Sequence, residues 1–471
     1  MPHGLVVHCF GPFELDLDSR TLFRGDARIP LPHAQAVILA RLVAAAPAPV
    51  TKEALIEAAW ERAAISANSL DKAVSGLRKT LDPSTRRTEY IETLPMKGYR
   101  FAADVRRALR HLPGTSLDAQ LAPYRAFVHG RTELESLDRE RIAQARTALA
   151  ALVLEHPDYA DAHVALAMAC ALAYEATTID LVPDRAALEA GLGHARTGCG
   201  LAPASGEAWS TLAFLLGLSG NSTDAAAAAY KATRLEPDDW RHALRAGYVT
   251  WGEERLRAAA RVLVLSPGRA LAHWLRASVF IARRAFPSAR EELQAGCAAQ
   301  DLQHTGTSRV VGLHLLHALL LAAEGQLDGA ISACMQELSS SSTSAQIYAP
   351  RCTANTWYSL GAVYLRQRRR DEANAAFASA LAVAPGHAAA MAALRGELPP
   401  SGTPLHLAIG RAIILARAGR HAEAAAEYRQ AVIASPDASA GWLLPVDPML
   451  NPSAHPEIWA DTLAVIGVRA V

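Results

Sequence analysis

A recurring interval of 34 residues in the carboxyl-terminal part of the chain constrains the fold more than any other feature. Trp357, Leu360, Gly361, Tyr364, Ala373, Phe377, Ala380 and Pro385 occupy a set of offsets that recurs from Trp209 as Trp209, Leu212, Ala213, Leu216, Ala225, Ala229, Ala232 and Pro237. Pro203 and Pro237 stand one full period of 34 residues apart. Weaker copies follow in the same frame: Ala412, Leu415, Ala424, Tyr428, Ala431 and Pro436; His314, Ala318, Leu321, Ala330 and Cys334; Ala277, Phe280, Ala289, Leu293 and Gly296. Small residues at fixed offsets let two antiparallel helices cross closely, and large residues fill the gaps between them. The closing proline ends the second helix because it has no N–H for the helical ladder. A chain with this period stacks helical pairs into an array.

The pattern resembles tetratricopeptide domains, and it predicts about eight helical pairs over residues 124–436. The longer Pro157–Pro203 interval predicts an insertion near 177–185, and the serine-rich stretch 339–344 reads as a flexible connection. After residue 444, Pro445, Pro448, Pro452 and Pro456 break the period, and a helix over 457–466 is expected to cap the stack. The resemblance implies a concave groove for a protein or peptide partner, or a role in homo-oligomer formation. The groove-facing positions Ser210, Phe214, Tyr358, Ala362 and Leu365 do not repeat a basic clamp for a peptide carboxylate. Arg366, Arg368, Arg369 and Arg370 fall at an inter-helix turn and read as solvated surface, with contact to an anionic partner as the alternative.

The first 107 residues differ. They carry 15 Lys/Arg against 12 Asp/Glu, whereas the remainder carries 32 against 34, and residues 66–107 alone hold 9 basic and 5 acidic side chains. Leu5-Val6-Val7-His8-Cys9-Phe10 is rich in strand formers and stops at Gly11-Pro12; Phe13, Leu15 and Leu17 then alternate with acids. Short β stretches at 21–23 and 28–31 complete a small antiparallel sheet. Helices are predicted over 33–45, over 52–60 behind the N-cap Thr51, and over 67–81. Leu70, Val74, Leu77 and Leu81 make a single buried stripe on the third, opposite Asn68, Lys72, Ser75, Arg78 and Lys79. Residues 90–94 and 99–101 read as a hairpin.

Val50-Thr51-Lys52-Glu53-Ala54-Leu55 with Trp60, then Ser69-Leu70-Asp71-Lys72-Ala73-Val74-Ser75-Gly76-Leu77-Arg78-Lys79-Thr80-Leu81, then Ile91-Glu92-Thr93 and Gly98-Tyr99-Arg100-Phe101, resemble the OmpR/PhoB-type winged helix-turn-helix over residues 5–104. The resemblance implies double-stranded promoter DNA as partner, with the third helix in the major groove and the hairpin wing on the minor groove. Asn68, Ser69, Lys72, Ser75, Arg78 and Lys79 are then candidate contacts from the recognition helix. Lys52 and Trp60 sit at phosphate-side positions, and Thr93, Lys97 and Arg100 belong to the wing. Trp60 reads as core more readily than as contact, and Tyr99 and Phe101 as packing residues. Lys and Arg near phosphates dominate affinity, and only groups reaching base edges specify sequence; Arg78 is the best fork-shaped donor for guanine on this helix. The resemblance further implies RNA polymerase as a partner through the loop 61–65. Gly76 and Pro95 depart from it, standing where the family often has basic residues.

The expected architecture is therefore multidomain: an α+β winged helix-turn-helix over 1–107, a linker over 108–123, an all-α repeat solenoid over 124–444 and a cap over 445–471. This arrangement resembles that of bacterial invasion-gene regulators of the HilA type. The function expected is a DNA-binding transcriptional regulator; the alternative is a tetratricopeptide adaptor whose winged helix docks protein. Cys9, Cys170, Cys199, Cys297, Cys334 and Cys352 are scattered without a C-x-x-C pair, which fits a reducing cytoplasm and no structural zinc. No phosphate loop, nucleophile elbow or metalloprotease motif is present, so neither an enzyme nor a cofactor is expected. His314 and His317 read as packing or surface residues. No apolar run is long enough to span a bilayer.

Overall fold

The computed structural model describes residues 5–471 apart from 26, 61–66, 82–89, 111–116, 181, 303–309, 342–343 and 401, with the backbone alone for 5, 67, 68, 109, 110, 117–120 and 302. The chain divides into two compact units, Met1–Arg125 and Ala126–Val471.

The first unit opens with four strands, β1 (Leu5–Phe10), β2 (Phe13–Asp16), β3 (Thr21–Arg24) and β4 (Ala27–Ile29). Three helices follow, α1 (His33–Ala45), α2 (Lys52–Ala59) and α3 (Ala67–Leu81). Strands β5 (Ile91–Leu94), β6 (Gly98–Phe101) and β7 (Arg106–Arg110) complete it. The antiparallel sheet runs in the order β4-β3-β2-β1-β7, and β5 and β6 form a separate hairpin. Alternation of Phe13 and Leu15 with Glu14 puts the apolar face of β2 inward. Phe10 and Phe101 meet edge to face at 4.8 Å, with Phe13 and Tyr90 beside them. Leu70, Val74, Leu77 and Leu81 of α3 are all buried against this core, as their spacing requires. Thr51 accepts from the Ala54 amide and caps α2.

Of residues 108–123, expected as a linker, 108–110 and 117–123 belong to regular elements, and 111–116 lie outside the described residues. Strand β7 covers 106–110 and pairs with β1 (Val7 opposite Ala108), and a helix begins at Leu117. The edge of β1 exposes unpaired backbone groups, and β7 supplies their partners. Basic composition alone masked a strand here.

That helix, α4 (Leu117–Glu135), carries the chain into the second unit, where it is followed by α5 (Arg139–Glu155). Successive antiparallel pairs then stack: α6 (Ala160–Thr177) with α7 (Arg185–Leu201), α8 (Gly206–Leu218) with α9 (Ser222–Leu235), and α10 (Trp240–Val249) with α11 (Gly252–Leu265). The stack continues with α12 (Ala270–Ala282) and α13 (Phe286–Leu302), α14 (Leu313–Ala323) and α15 (Leu327–Ser341), and α16 (Ala349–Arg366) and α17 (Arg370–Val383). A short α18 (Ala388–Arg395) precedes α19 (Pro404–Arg417) and α20 (His421–Ala434). The unit is a tetratricopeptide-type α-solenoid. A Cβ on Gly361 would lie 2.6 Å from the Phe377 ring and 3.0 Å from the Ala373 carbonyl, so the small residue of the period is what lets α16 and α17 cross. Ala213, Ala225 and Ala232 are fully buried at the matching offsets.

Three expectations change here. Helix α15 runs on through Ser341, so the first half of the serine-rich stretch is helical; residues 342–343 lie outside the described residues. Arg366 is not solvated surface: its Nη1 donates to the Ala322 carbonyl at 2.7 Å and ties α16 to α14. Ser210, Phe214, Tyr358 and Ala362, read as groove-facing, are buried; neighbouring helices pack on Phe214, and the carboxyl-terminal segment packs on Tyr358. That segment contains two 3-10 turns and α21 (Pro456–Arg469), longer than expected. Trp442 packs against Trp251 and Trp274, Arg283 Nε donates to the Ala470 carbonyl at 2.9 Å, and the half-buried Asp447 faces Tyr358 of α16. Residues after 436 thus fold back along the inner helices α12, α14 and α16 as well as closing the stack.

Candidate nucleic-acid interface

The helix-turn-helix of the first unit presents α3 with two distinct sides. Its apolar stripe fixes the helix against α1 and α2, which leaves Lys72, Ser75 and Lys79 exposed on the opposite side at i, i+3 and i+7. Ser69 is half-buried at the start of α3, and the backbone of Asn68 is helical. Gly76, which the sequence marks as a departure, faces the Gln35 side chain of α1 rather than this exposed side.

Arg78 is engaged internally. Its Nε and Nη2 donate to the Ile91 carbonyl at 3.1 and 2.9 Å, and Nη2 also donates to Thr93 Oγ1 at 2.8 Å. The guanidinium therefore fastens the recognition helix to strand β5 of the wing. Thr93 is the other half of that fastening. Arg100 pairs with Glu92, directly opposite it in the hairpin register. Lys52, at the start of α2, donates to Asp71 Oδ1 at 3.2 Å, and the same oxygen accepts from the Tyr99 hydroxyl at 2.6 Å. These two donors hold the Asp71 carboxyl below its ordinary range. Burial, reinforced by the adjacent carboxylate, pushes the Tyr99 phenol up to about 12. Trp60 closes α2 and packs half-buried against the core.

The wing turn is set by backbone geometry. Gly98 has φ +102°, and a Cβ there would lie 2.2 Å from the Val50 carbonyl, which bonds the Tyr99 amide. This close approach locks the hairpin to the segment before α2 and leaves Pro95, Met96 and Lys97 exposed at the tip. Of the eleven candidate residues, the structure thus joins Lys52, Arg78, Thr93 and Arg100 into internal pairs. The side chains of Lys72, Lys79 and Lys97 form no hydrogen bond or ion pair among the described residues. Asp71 and Glu92, which organise the cations, were missed in the sequence. The signal for Glu92 was its place opposite Arg100 in a hairpin; Asp71 had none without the tertiary contact. The loop 61–65 lies outside the described residues.

No built metal site emerges among the described residues. Glu236, Asp239 and His242 gather in the second unit, but Glu236 accepts from the Gly206 amide at 2.7 Å and from His242 at 2.8 Å, and Asp239 is held by Arg241. This is a clamp between repeats. His314 meets Cys297 Sγ at 3.8 Å, a contact sequence spacing did not reveal.

Residues 26–101 match the family described as transcriptional regulatory protein, C terminal. The first unit is a winged helix of the OmpR/PhoB type. The winged helix is 33% identical over 92 residues to the transcriptional regulator HilA of Salmonella typhimurium (strain LT2), covering 20% of this chain and 16% of that regulator. The matched stretch thus spans about a sixth of the curated relative's length. Among solved structures, the DNA-binding domain of E. coli CadC is 21% identical, covering 22% of this chain and 97% of that one at a TM-score of 0.20. The tetratricopeptide protein YrrB is 16% identical, covering 52% of this chain and 97% of its own at a TM-score of 0.22. No described helix is long and apolar enough to cross a membrane.

Proposed function

We propose that the chain is a transcriptional regulator that binds promoter DNA through the winged helix, with α3 in the major groove and the β5–β6 wing on the minor groove. One observation carries this reading: the exposed Lys72, Ser75 and Lys79 lie on the side of α3 opposite its buried stripe, and Arg78 couples that helix to the wing bearing Lys97. Lys72, Lys79 and Lys97 neutralise phosphates. Ser75, with Asn68 and Ser69 at the leading end of α3, faces base edges. Arg78, Thr93, Lys52 and Arg100 set the angle between helix and wing and act on DNA through that geometry. The repeat unit serves a protein partner or a second copy of the chain, and the loop 61–65 serves RNA polymerase.

Three phosphate contacts predict a log–log dependence of affinity on salt with a slope of about −2.7. Fluorescence anisotropy of full-length protein on its promoter fragment measures it. Lys72→Ala and Lys79→Ala should each flatten the slope by about one and weaken all sequences alike. Arg78→Ala should blur the preferred sequence as well as weaken binding. A salt-insensitive interaction unchanged by these substitutions would sink the proposal, and a protein ligand in place of DNA would favour the adaptor reading.

A further inference from the structure

We propose that the inner face of the repeat unit, where α6, α8, α10 and the start of α16 converge, binds a small organic anion through Arg245. Arginines on the neighbouring segments have internal partners. Arg131 pairs with Glu207, Arg276 with Glu292 and Arg283 with Glu253. Arg255, fully enclosed, directs its fork to the Gly247, Thr250 and Tyr248 carbonyls and to Ser278. Arg245 has no such set. Its guanidinium lies over the Phe214 ring at 4.3 Å, and its nearest polar contact among the described residues is the Met168 sulfur at 4.0 Å. A planar cation held flat on a ring, with its N–H edge free of carboxylates, is preorganised for a carboxylate or phosphate.

The surroundings add donors. Tyr248, one turn along α10, meets Phe214 edge-on at 6.4 Å and stays 38% exposed. Ile347 donates to the Leu137 carbonyl at 2.8 Å, which brings the start of α16 across to the α4–α5 corner and seats Tyr348 against the core of α4–α6. Arg351, one turn further, is exposed and makes no hydrogen bond or ion pair among the described residues. Two acids face this group: Glu207, which is paired with Arg131, and Glu175, whose carboxyl is pushed up by burial. Residues 346–348 bridge the inner face and the carboxyl-terminal segment covers α12, α14 and α16, which closes these helices to an extended peptide and makes a compact anion the ligand proposed.

The inference is independent of DNA binding. Calorimetry on the full-length protein, with citrate for carboxylates and glycerol 3-phosphate for phosphate esters against chloride at matched ionic strength, tests it. At least one should bind at one site per chain; which one distinguishes an organic acid from a phosphate ester. Arg245→Met, which keeps the apolar contact with Phe214, should weaken that binding by about tenfold or more. Tyr248→Phe and Arg351→Gln should each weaken it by a smaller factor, and they carry the test if Arg245→Met fails to fold. Arg261→Met, on an outer helix, should change nothing. Absence of binding by either anion, or unchanged affinity in the folded inner-face variants, overturns the proposal.

Discussion

The winged helix and the solenoid stabilise themselves in opposite ways. In the first, a few large rings (Phe10, Phe13, Tyr90 and Phe101) interlock between sheet and hairpin. In the second, Ala213, Ala229, Gly361, Ala380 and their counterparts keep helices close, and large side chains fit between successive pairs. The charges follow suit. Cations of the first unit that lack a partner point outward, as Lys72, Lys79 and Lys97 do, whereas Arg245 of the second points to the inner face. In the functions proposed above, a charge without an internal partner is where each unit offers binding energy to something else, outside in one case and inside in the other.

Substitutions that change volume in opposite directions test this contrast. The largest effect is expected for Phe101→Ala, which leaves a cavity in the aromatic cluster and costs about 3–5 kcal/mol of the first unit's stability. Urea titration followed by DNA binding and by far-ultraviolet dichroism should show DNA binding lost first and most of the helical signal retained. A single coincident shift of both signals would break the comparison. Gly361→Ala does the reverse, adding one methyl where α16 and α17 cross. Overpacking offset by a gain in helix propensity predicts a net loss of about 1–2 kcal/mol, read from the main helical transition.

The smallest effect concerns pH. Burial raises the Asp447 carboxyl to about 6, above its unfolded value, although the Met449 and Leu450 amides oppose the shift. A carboxyl raised in the folded state favours folding while protonated, so its contribution is full below about pH 4 and disappears as pH rises through about 6. Asp447→Asn should therefore melt higher than the parent at pH 7.5, with the gap closing towards pH 4. A gap that stays constant or grows on acidification would remove Asp447 from this role.

Much of the molecule was legible in the chain. Helices at 33–45 and 67–81 and the repeat pairs follow from spacing, because a buried stripe at period 3.6 and a small residue at a crossing are local demands. The β7 strand was not, since basic residues on an edge strand resemble a linker until β1 supplies their partner. Arg78 is the sharpest case at the site. Its place on the polar side of α3 suggested guanine, but the Ile91 carbonyl lies within reach and receives two of its N–H groups.

Sequence alone determined most of the segments that become helix or strand, which stripes are buried, and that two unlike units follow one another, because these depend on neighbours a few residues away. The folded chain decided which cations keep their charge available. That choice depends on acceptors far along the chain, such as Ile91 for Arg78, Asp71 for Lys52 and, among the described residues, only the Met168 sulfur for Arg245, brought together when the helices and strands pack.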